Sequence, residues 1–307
     1  MTDSPPIMIL GAPRSGTSLL QHIVRSAPGF VSPVRESQHI WEPYVHPTLN
    51  DWRFEGVDPV RLREVDLDRI REQLFEQAIS AKVWRFLRAS GVYDSPGLMA
   101  LARKAGRPVT ALLSLLNSAV PKEAGSTRWF VDKSVHAGLW MDLVLNTLPG
   151  CKVLHITRDP IKAVLSMTQA WSDLERFQTY AVPVDGGTRP WCFGLPEGWV
   201  EYANLSNELK SSFQWVEVNE RILDHAAQLD AEQRYHHVQL ESLVGSPEVT
   251  ISRLVEFMGC DASAYWRQLC EGLPVINPAE AGRKRGAALS SEARALVEPL
   301  RKRLGYT

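Results

Sequence analysis

Cysteine, net charge and long apolar runs are all scarce in this sequence, and each scarcity excludes a class of protein. The four cysteines, Cys151, Cys192, Cys260 and Cys270, form no C-x-x-C pair and have no metal-ligand spacing with histidine. We therefore expect reduced, mostly structural thiols and a reducing compartment. The formal charge of −1, from 34 basic and 35 acidic residues, does not favour a general binder of nucleic acid or membrane surfaces.

The start and the composition of the chain predict a cytoplasmic protein. The first predicted strand begins at Ile7, which leaves no room for a basic region and an apolar signal segment. No stretch of the sequence approaches the ~20 apolar residues of a membrane span. The 307 residues are 44% hydrophobic and 22% charged, as in globular proteins, and we predict a single domain over residues 1–307.

One stretch near the start of the chain predicts an anion-binding site. Ile7–Leu10 is an apolar run followed by glycine, which is typical of a parallel strand buried on both faces. Apolar residues recur at helical spacing from Leu19 onward, and Gly11–Thr17 lies between the strand and this helix. A glycine-bearing loop that opens a helix directs backbone N–H groups and the positive end of the helix dipole at one point.

The same loop lacks the lysine with which nucleotidases grip the β- and γ-phosphates. Gly11 and Gly16 have the spacing of the glycines in G-x-x-x-x-G-K-[ST], but Thr17 occupies the lysine position. Arg14 instead supplies a planar fork of donors. Three hydroxyl side chains supply further donors: Ser15, Thr17 and Ser18. We expect the loop to hold a phosphate-like group without transferring a γ-phosphoryl; the alternative is a turn with a solvated arginine.

A second apolar strand is also followed by an arginine. Val153–Ile156 forms this predicted strand, and Arg158 follows its end. Asp159 can cap the next helix, and Pro160 suits its first turn. Ser166 lies on the same helix, and the arginine fork matches a phosphate bidentately. In the alternative interpretation, Arg158 only pairs with Asp159 at the helix start.

Four residues are candidates for acid–base or charge-stabilising roles. Lys133 ends the predicted strand Trp129–Ser134, where ligands of open parallel sheets gather; the alternative is a solvated surface lysine. Glu36 is a general-base candidate or, alternatively, an acid that stabilises a helix start. His39 and His136 are further candidates for the base, and for each the alternative is a structural role.

Together these motifs resemble those of sulfotransferases that use 3′-phosphoadenosine 5′-phosphosulfate (PAPS). The sequence G-x-P-R-S-G-T-[ST]-L-L is similar to the 5′-phosphosulfate loop of that family, and Arg158 with Ser166 resembles its 3′-phosphate site. The resemblance implies that Glu36 is the base and that Lys133 assists the bridging oxygen of the leaving group. It also implies that Arg14 and the loop residues Ser15–Ser18 bind the donor.

The resemblance extends to the last third of the chain. His237–Val244 is predicted as the last strand and resembles a family segment in which Leu240 replaces the usual tyrosine. A basic run between glycines resembles the family loop that closes over the 3′-phosphate: Arg283, Lys284, Arg285 and Gly286. Which of these cations makes the contact stays open, and the alternative is a solvated basic loop.

The order of elements predicts an α/β fold, with a P-loop-type parallel sheet flanked by helices and a mainly helical insertion at residues 45–125. This insertion either walls off an acceptor pocket or only covers the sheet edge. Residues 41–56 are predicted as loop and residues 66–89 as helix. Residues 181–198 are predicted as a long loop and candidate lid, followed by a long helix over 200–229.

The expected reaction is metal-independent in-line transfer of a sulfuryl group from PAPS to a hydroxyl of a small-molecule, lipid or carbohydrate acceptor, including natural products. Glu36 would take the acceptor proton, while Arg14, Lys133 and the loop amides would stabilise the departing phosphate oxygen. One alternative is a kinase-like phosphotransferase that uses Mg²⁺ and ATP; another is a catalytically silent nucleotide-binding module. We expect no nucleic-acid partner and no metal, and the acceptor and oligomeric state stay open.

Overall fold

The central sheet is a mixed sheet dominated by parallel pairs. The computed structural model of the protein describes residues 4–33, 36–80, 129–260, 266 and 288–306. The strands within them are β1 (Ile7–Leu10), β2 (Phe30–Pro33), β3 (Ala78–Ser80), β4 (Trp129–Ser134), β5 (Lys152–Thr157), β6 (Gln178–Val184), β7 (Gly187–Cys192) and β8 (Tyr235–Gln239). The main sheet has the order β3-β2-β4-β1-β5-β8. All neighbours pair in parallel except β3, which is antiparallel to β2, so the predicted parallel sheet is confirmed.

Helices cover both faces of this sheet. In the described part of the chain they are α1 (Thr17–Ser26), α2 (Gln38–Val45), α3 (Pro59–Leu62), α4 (Leu67–Glu76), α5 (Met141–Thr147), α6 (Pro160–Ala170), α7 (Leu174–Phe177), α8 (Trp199–Tyr202), α9 (Asn207–Ala231), α10 (Leu240–Gly245), α11 (Pro247–Met258) and α12 (Ser291–Arg303). Short 3₁₀ turns lie at Pro47–Asn50 and Ala137–Trp140. The predicted α/β class, with helices flanking the sheet, is confirmed.

Strand β1 lies at the centre of the sheet because each of its side chains is apolar and fully buried. Ile7 and Ile9 pack in one core cluster with residues of α1 and α11, whereas Met8 and Leu10 pack in the other with residues of α5, α6 and α9. Each fully buried side chain of this size contributes about 1.5–3 kcal/mol of transfer free energy. The strand is therefore held firmly from both faces, as the apolar run predicted.

Local capping signals account for several helix ends. Asp159 Oδ1 accepts from the backbone N–H of Ile161 at 2.9 Å, and Pro160 begins α6, as the sequence predicted. Gly259 follows α11 in the left-handed conformation, with φ 72°, which costs glycine little. Ser290 caps α12 by accepting from the backbone N–H of Ala293 at 3.3 Å. These starts and stops depend only on neighbouring residues.

In its described part, residues 45–80, the region predicted as an insertion contains a strand and turns as well as helices. Residues 41–56, predicted as loop, instead contain most of α2 and a 3₁₀ turn, because Ile40, Trp41 and Val45 bury one face of the helix. The helix predicted over residues 66–89 ends at Glu76, and Ala78–Ser80 forms β3 instead. That strand pairs with β2, whose backbone groups would otherwise be unpaired at a sheet edge. The rest of the insertion, residues 81–125, lies outside the described residues.

The long loop predicted over residues 181–198 is wrong for most of its length. Strands β6 and β7 form an antiparallel hairpin, and only residues 193–198 follow it as loop. Asp185 and Gly186 connect the strands with φ values of 51° and 77°, the backbone of a type I′ turn. The prolines suggested a loop, but Pro183 and Pro190 stand in a two-stranded ribbon, where each strand is an edge and tolerates proline.

Two later elements also differ from the prediction. The helix predicted over 200–229 is divided into α8 and α9, because Ser206 caps a new helix by accepting from the backbone N–H of Leu209 at 3.3 Å. The strand predicted over His237–Val244 ends at Gln239, and Leu240 begins α10. Glu241 therefore lies in the first turn of a helix, beside the end of β5.

The structure describes cysteines that were predicted as reduced thiols, and it describes helices whose length and polarity relate to the predicted lack of a membrane span. Cys151 and Cys192 are buried thiols outside any disulfide, whereas Cys270 lies beyond the described residues. Of the helices that the structure describes, none has the length and apolar character needed to cross a membrane.

Candidate active site

The carboxyl ends of three neighbouring strands carry the candidate residues. In the sheet register, Leu10 at the end of β1 lies beside Ser134 of β4 and His155 of β5. The glycine-bearing loop leaves β1 at this edge, Lys133 stands near the end of β4, and Arg158 directly follows β5. The fold thus brings together at one edge three motifs that are widely separated in the sequence, as open parallel sheets do for ligands.

The loop after β1 has the backbone of an anion site. Arg14 and Gly16 both have positive φ, 68° and 95°, and Gly16 precedes α1 without any side-chain capping hydrogen bond. The first turn of α1 holds no acidic residue. Ser15 is fully buried, and its Oγ has no hydrogen-bond partner among the residues that the structure describes. A buried hydroxyl and uncapped N–H groups at one helix start fit an anionic group.

The other two hydroxyl-bearing residues of this region, Thr17 and Ser18, differ in burial. Thr17 is buried and Ser18 is exposed, so the two predicted hydroxyl donors stand in different environments. A Cβ atom at Gly16 would lie 2.7 Å from Leu240 Cδ1. Leu240, the residue that replaces the tyrosine of the family segment, therefore packs directly on the loop after β1.

The two predicted anion-binding motifs meet through side chains. Arg14 Nε donates to Ser166 Oγ at 3.0 Å, and Arg158 Nη1 approaches the backbone oxygen of Arg14 at 3.5 Å. Arg158 is nearly buried. The carboxylate of Asp159 caps α6 and also lies 3.5 Å from Arg301 Nε. Two guanidinium groups and a hydroxyl are thus gathered where an anion could accept several charge-assisted hydrogen bonds.

An aromatic ring that the sequence analysis missed lies beside this group. The guanidinium carbon of Arg14 is 5.8 Å from the ring centroid of Phe177, and the Phe177 and Phe193 rings are 5.9 Å apart. A guanidinium over a ring face is a favourable cation–π arrangement. Phe177 ends the short helix α7, and no periodic signal in the sequence links that position to the loop after β1.

The end of β5 is held by a partly buried polar network. Thr157 Oγ1 lies 2.7 Å from His237 Nε2 and 2.8 Å from the Tyr306 hydroxyl. Glu241 Oε1 accepts from the backbone N–H of Asp159 at 3.1 Å. Burial and the neighbouring His236 lower the pKa of His237 to about 4. With a pKa this low, His237 is neutral at ordinary pH, and its ring nitrogen shares a hydrogen bond with Thr157. These contacts hold the end of β5, which directly precedes Arg158.

Lys133 and Glu36 form the second group of the site. Lys133 Nζ contacts Glu36 Oε1. The lysine side chain is only 2% exposed, whereas the glutamate side chain is 46% exposed. A buried ammonium needs such a partner, and the half-exposed carboxylate is open to solvent. The structure therefore brings two of the three predicted catalytic residues into direct contact.

The two histidine candidates have different surroundings. His39 Nε2 lies 2.9 Å from Gln77 Oε1 at an exposed position. His136 is buried, and its Nδ1 lies 2.9 and 3.0 Å from the two carboxylate oxygens of Glu55. Burial alone would lower the pKa of His136, but the charge and hydrogen bond of Glu55 outweigh it and raise the pKa above its ordinary value. Glu55 thus favours the protonated form of His136.

Glu55 itself was missed by the sequence analysis. It is buried, and its Oε2 accepts from the backbone N–H of Leu195 at 3.1 Å. A Cβ atom at Gly194 would lie 3.3 Å from Glu55 Oε2 and 3.7 Å from His136 Nδ1. The segment after β7 therefore lies directly on the ion pair.

Replacing Glu55 by glutamine is expected to lower stability most at low pH. Because the raised pKa of His136 lies above the ordinary value of 6.5, the stabilisation is fully present below that value and is lost as pH rises through the folded-state pKa. The gap between wild type and Glu55→Gln, measured by urea unfolding, should therefore shrink as pH rises above about 6.5.

The matched control for this experiment is Asp142→Asn. Asp142 lies 3.9 Å from His225 in a largely exposed pair, so its replacement should change stability little at any pH. A gap for Glu55→Gln that does not vary with pH would contradict a charged His136.

Part of the predicted site lies outside the described residues. This part comprises Arg283, Lys284, Arg285 and Gly286, whose contacts with the 3′-phosphate stay a prediction. Within the described ranges, no group of three or more histidine, cysteine, aspartate or glutamate residues has an arrangement that could hold a metal ion.

Several solved structures are similar to this chain at low identity. The sulfotransferase domain of an olefin synthase from Synechococcus PCC 7002 is 16% identical, with 97% of this chain and 95% of that chain covered and a TM-score of 0.47. A sulfotransferase from Mycobacterium avium is 16% identical, with 99% and 78% covered and a TM-score of 0.48. One from Alicyclobacillus acidocaldarius is 13% identical, with 99% and 96% covered and a TM-score of 0.46.

The family assignment comes from the sequence. A search of curated protein sequences finds no match. A family model described as the sulfotransferase family matches residues 5–264, a stretch that includes the loop after β1, Glu36, Lys133 and Arg158. The chain therefore belongs to the sulfotransferase family, whose chemistry is the transfer of sulfuryl groups.

Proposed function

We propose that this protein transfers the sulfuryl group of PAPS to a hydroxyl of a small-molecule, lipid or carbohydrate acceptor. The observation that carries the proposal is the contact between Arg14 and Ser166, with Arg158 beside them. It joins an anion-binding loop to a second cationic group at one sheet edge. A donor that bears a 5′-phosphosulfate and a 3′-phosphate needs two such anion sites close together.

The donor would bind across these two groups. The N–H groups at the start of α1 and the orphaned Ser15 hydroxyl would hold the 5′-phosphosulfate. Arg158 and Ser166 would hold the 3′-phosphate, with Arg14 reaching toward it from the loop. Arginine suits this role because its fork of donors matches phosphate oxygens and stays charged. Cationic side chains and N–H groups would thus neutralise the donor without requiring a metal ion.

The contact between Lys133 and Glu36 supports an in-line transfer. Glu36 would take the acceptor proton as the bond from acceptor oxygen to sulfur forms. The bond from sulfur to the bridging phosphate oxygen breaks at the same time, and adenosine 3′,5′-bisphosphate leaves. Lys133 would stabilise the charge that develops on this leaving oxygen. The base and the cation must stand near each other because the sulfuryl group passes between acceptor and donor.

Glu36 is the better candidate for the base on electrostatic grounds. His136 has its raised pKa because Glu55 favours the protonated ring, and an imidazolium has no lone pair for the acceptor proton. His39 is exposed and lies against Gln77. Glu36 instead combines solvent access with a direct contact to the buried lysine.

Donor binding provides the first test. We expect adenosine 3′,5′-bisphosphate to bind without metal, and Arg158→Ala to weaken binding about 30-fold, or ~2 kcal/mol, because a charge-assisted phosphate contact is lost. Isothermal titration calorimetry measures both affinities. Arg221→Ala is the matched control, because Arg221 contacts Glu197 on an exposed surface and should leave the affinity unchanged.

The same titration separates the proposal from its two rivals. Binding of ATP only, and only with Mg²⁺, would favour a kinase-like phosphotransferase over the proposal. Binding of the bisphosphate without transfer from PAPS to any acceptor would favour a catalytically silent module. Turnover with an acceptor hydroxyl is the result that the proposal requires. A cytoplasmic location remains part of the proposal and is tested by cell fractionation.

A further inference from the structure

A second contact joins the two segments that carry Glu36 and Lys133. Ser37 follows Glu36, and Asp132 precedes Lys133 in β4. Ser37 Oγ donates to Asp132 Oδ2, and both side chains are fully buried. Ser37 therefore contacts Asp132 in the core, while the neighbouring Glu36 contacts Lys133 and is partly exposed to solvent.

A tryptophan fixes the direction of the buried contact. Trp41 Nε1 donates to Ser37 Oγ at 2.8 Å, and the indole nitrogen has no capacity to accept. The hydroxyl of Ser37 must therefore accept from Trp41 and direct its own proton to Asp132. Trp41 is fully buried and packs on Trp140 at a ring distance of 5.0 Å, so the donor is itself held in place.

Stability alone does not account for Asp132. Its Oδ1 has no hydrogen-bond partner in the part of the chain that the structure describes, and burial raises the pKa of this carboxyl to about 6, although Ser37 and the backbone N–H of Lys133 act to lower it. A well-packed apolar residue at a fully buried position is often at least as stabilising as a charged group. A buried carboxyl beside the candidate catalytic lysine therefore indicates a role in the site.

Among the described residues, Lys133 is the polar partner that holds the Glu36 side chain. Its carboxylate is half exposed and contacts Lys133, and a long side chain at such a position has several rotamers. A misplacement of a reacting group by about 1 Å can cost about 100-fold in rate. A fixed anchor at the next residue would restrict the backbone from which Glu36 extends.

We propose that Ser37 and Asp132 form a tether that positions Glu36 opposite Lys133. The two are positioning residues, since their burial keeps them from touching the acceptor. The proposal rests on the proposed function, in which Glu36 is the base. It predicts that loss of the tether affects the reaction only through Glu36.

A double-mutant cycle tests the tether. Ser37→Ala is expected to lower kcat about 10-fold, with the KM for the acceptor and the affinity for adenosine 3′,5′-bisphosphate unchanged. In a Glu36→Gln background the same substitution should have no further effect on kcat. Ser212→Ala is the matched control: Ser212 is also buried and donates to a helix carbonyl, that of Glu208, at 2.9 Å, and its replacement should leave kcat unchanged.

The comparison of kcat with binding constants provides a second readout, which does not depend on the turnover of Glu36→Gln. A merely structural role would weaken binding of adenosine 3′,5′-bisphosphate together with kcat, whereas loss of the tether should lower kcat alone. A Ser37→Ala variant whose donor affinity falls as much as its kcat would therefore overturn the tether.

Asp132→Asn separates the hydrogen bond from the charge. The asparagine oxygen still accepts from Ser37, so the folded variant should keep kcat within about 3-fold of wild type. A loss equal to that of Ser37→Ala would show that charge matters instead of the tether. Equal effects of Ser37→Ala in both backgrounds of the cycle would also overturn the tether, while full turnover of Glu36→Gln would overturn the proposed base itself.

Discussion

Replacing Glu36 by glutamine is expected to lower kcat for sulfuryl transfer by about 100- to 10,000-fold, because a positioned general base contributes a factor of that size. The amide keeps the size of the side chain but does not accept the acceptor proton at ordinary pH. Affinity for adenosine 3′,5′-bisphosphate should stay close to wild type, since the proposed anion contacts come from the loop and from Arg158. Turnover assays with PAPS and calorimetry with the bisphosphate measure the two quantities.

Glu42→Gln is the matched control for this prediction. Glu42 is an exposed glutamate on α2, a few residues beyond Glu36, and its replacement should leave kcat unchanged. Full turnover by Glu36→Gln would remove Glu36 from the role of base. The Glu55–His136 pair would then need testing, starting with Glu55→Gln, because the loss of the carboxylate would remove the cause that raises the pKa of His136.

The loss of kcat also tests the role of the contact between Glu36 and Lys133. If that contact served only to neutralise a buried ammonium, glutamine would reduce stability and leave the chemical step intact. If Glu36 takes the proton, the variant should bind donor and acceptor normally and stall at transfer. Only the second outcome separates kcat from both affinities, and it is the outcome that we expect.

The motifs that the sequence could predict are those whose signals are local. The first strand, its loop and α1 are encoded within Ile7–Ser26, where apolar runs, glycines and a helical period stand next to one another. The start of α6 is likewise encoded by Asp159 and Pro160. Parallel pairing then places the ends of β1, β4 and β5 side by side. The edge of the sheet that carries the site therefore follows from the order of the strands.

Contacts between distant side chains could not be predicted in this way. Nothing in the sequence near Arg14 indicates that its guanidinium reaches Ser166, and no spacing links Glu55 to His136. These pairs depend on how helices and loops cross over the sheet, which is decided by packing of the whole core. Local sequence patterns contain no information on such crossings.

In two other places a local sequence signal led to a wrong prediction of secondary structure. Asp185-Gly186 between alternating residues is a strong hairpin signal, yet Pro183 and Pro190 drew the prediction toward a loop. Ala78–Ser80 continued a helical period, but the edge of β2 offered backbone pairing instead. In both places tertiary pairing overrides local propensity, as is common for strands.

Replacing Gly11 by alanine is expected to reduce the free energy of unfolding by about 3 kcal/mol or more. A Cβ atom at Gly11 would lie 2.1 Å from the backbone oxygen of Ile156. That oxygen belongs to β5, which pairs with β1 on one side and β8 on the other. A backbone atom held from both sides has no side-chain torsion with which to move away.

Gly150→Ala is the matched control for Gly11→Ala, since Gly150 also has a positive φ, 73°, but a Cβ atom there would meet nothing within 4 Å. It should cost only the ~1–2 kcal/mol of a left-handed backbone. Urea unfolding compares the two variants, and equal losses would contradict a steric cause. If Gly11→Ala folds, affinity for adenosine 3′,5′-bisphosphate should fall as well, because β1 and β5 must separate where they carry the proposed anion-binding loop and Arg158. A variant that lost stability but kept full affinity would show that the two anion groups do not act together.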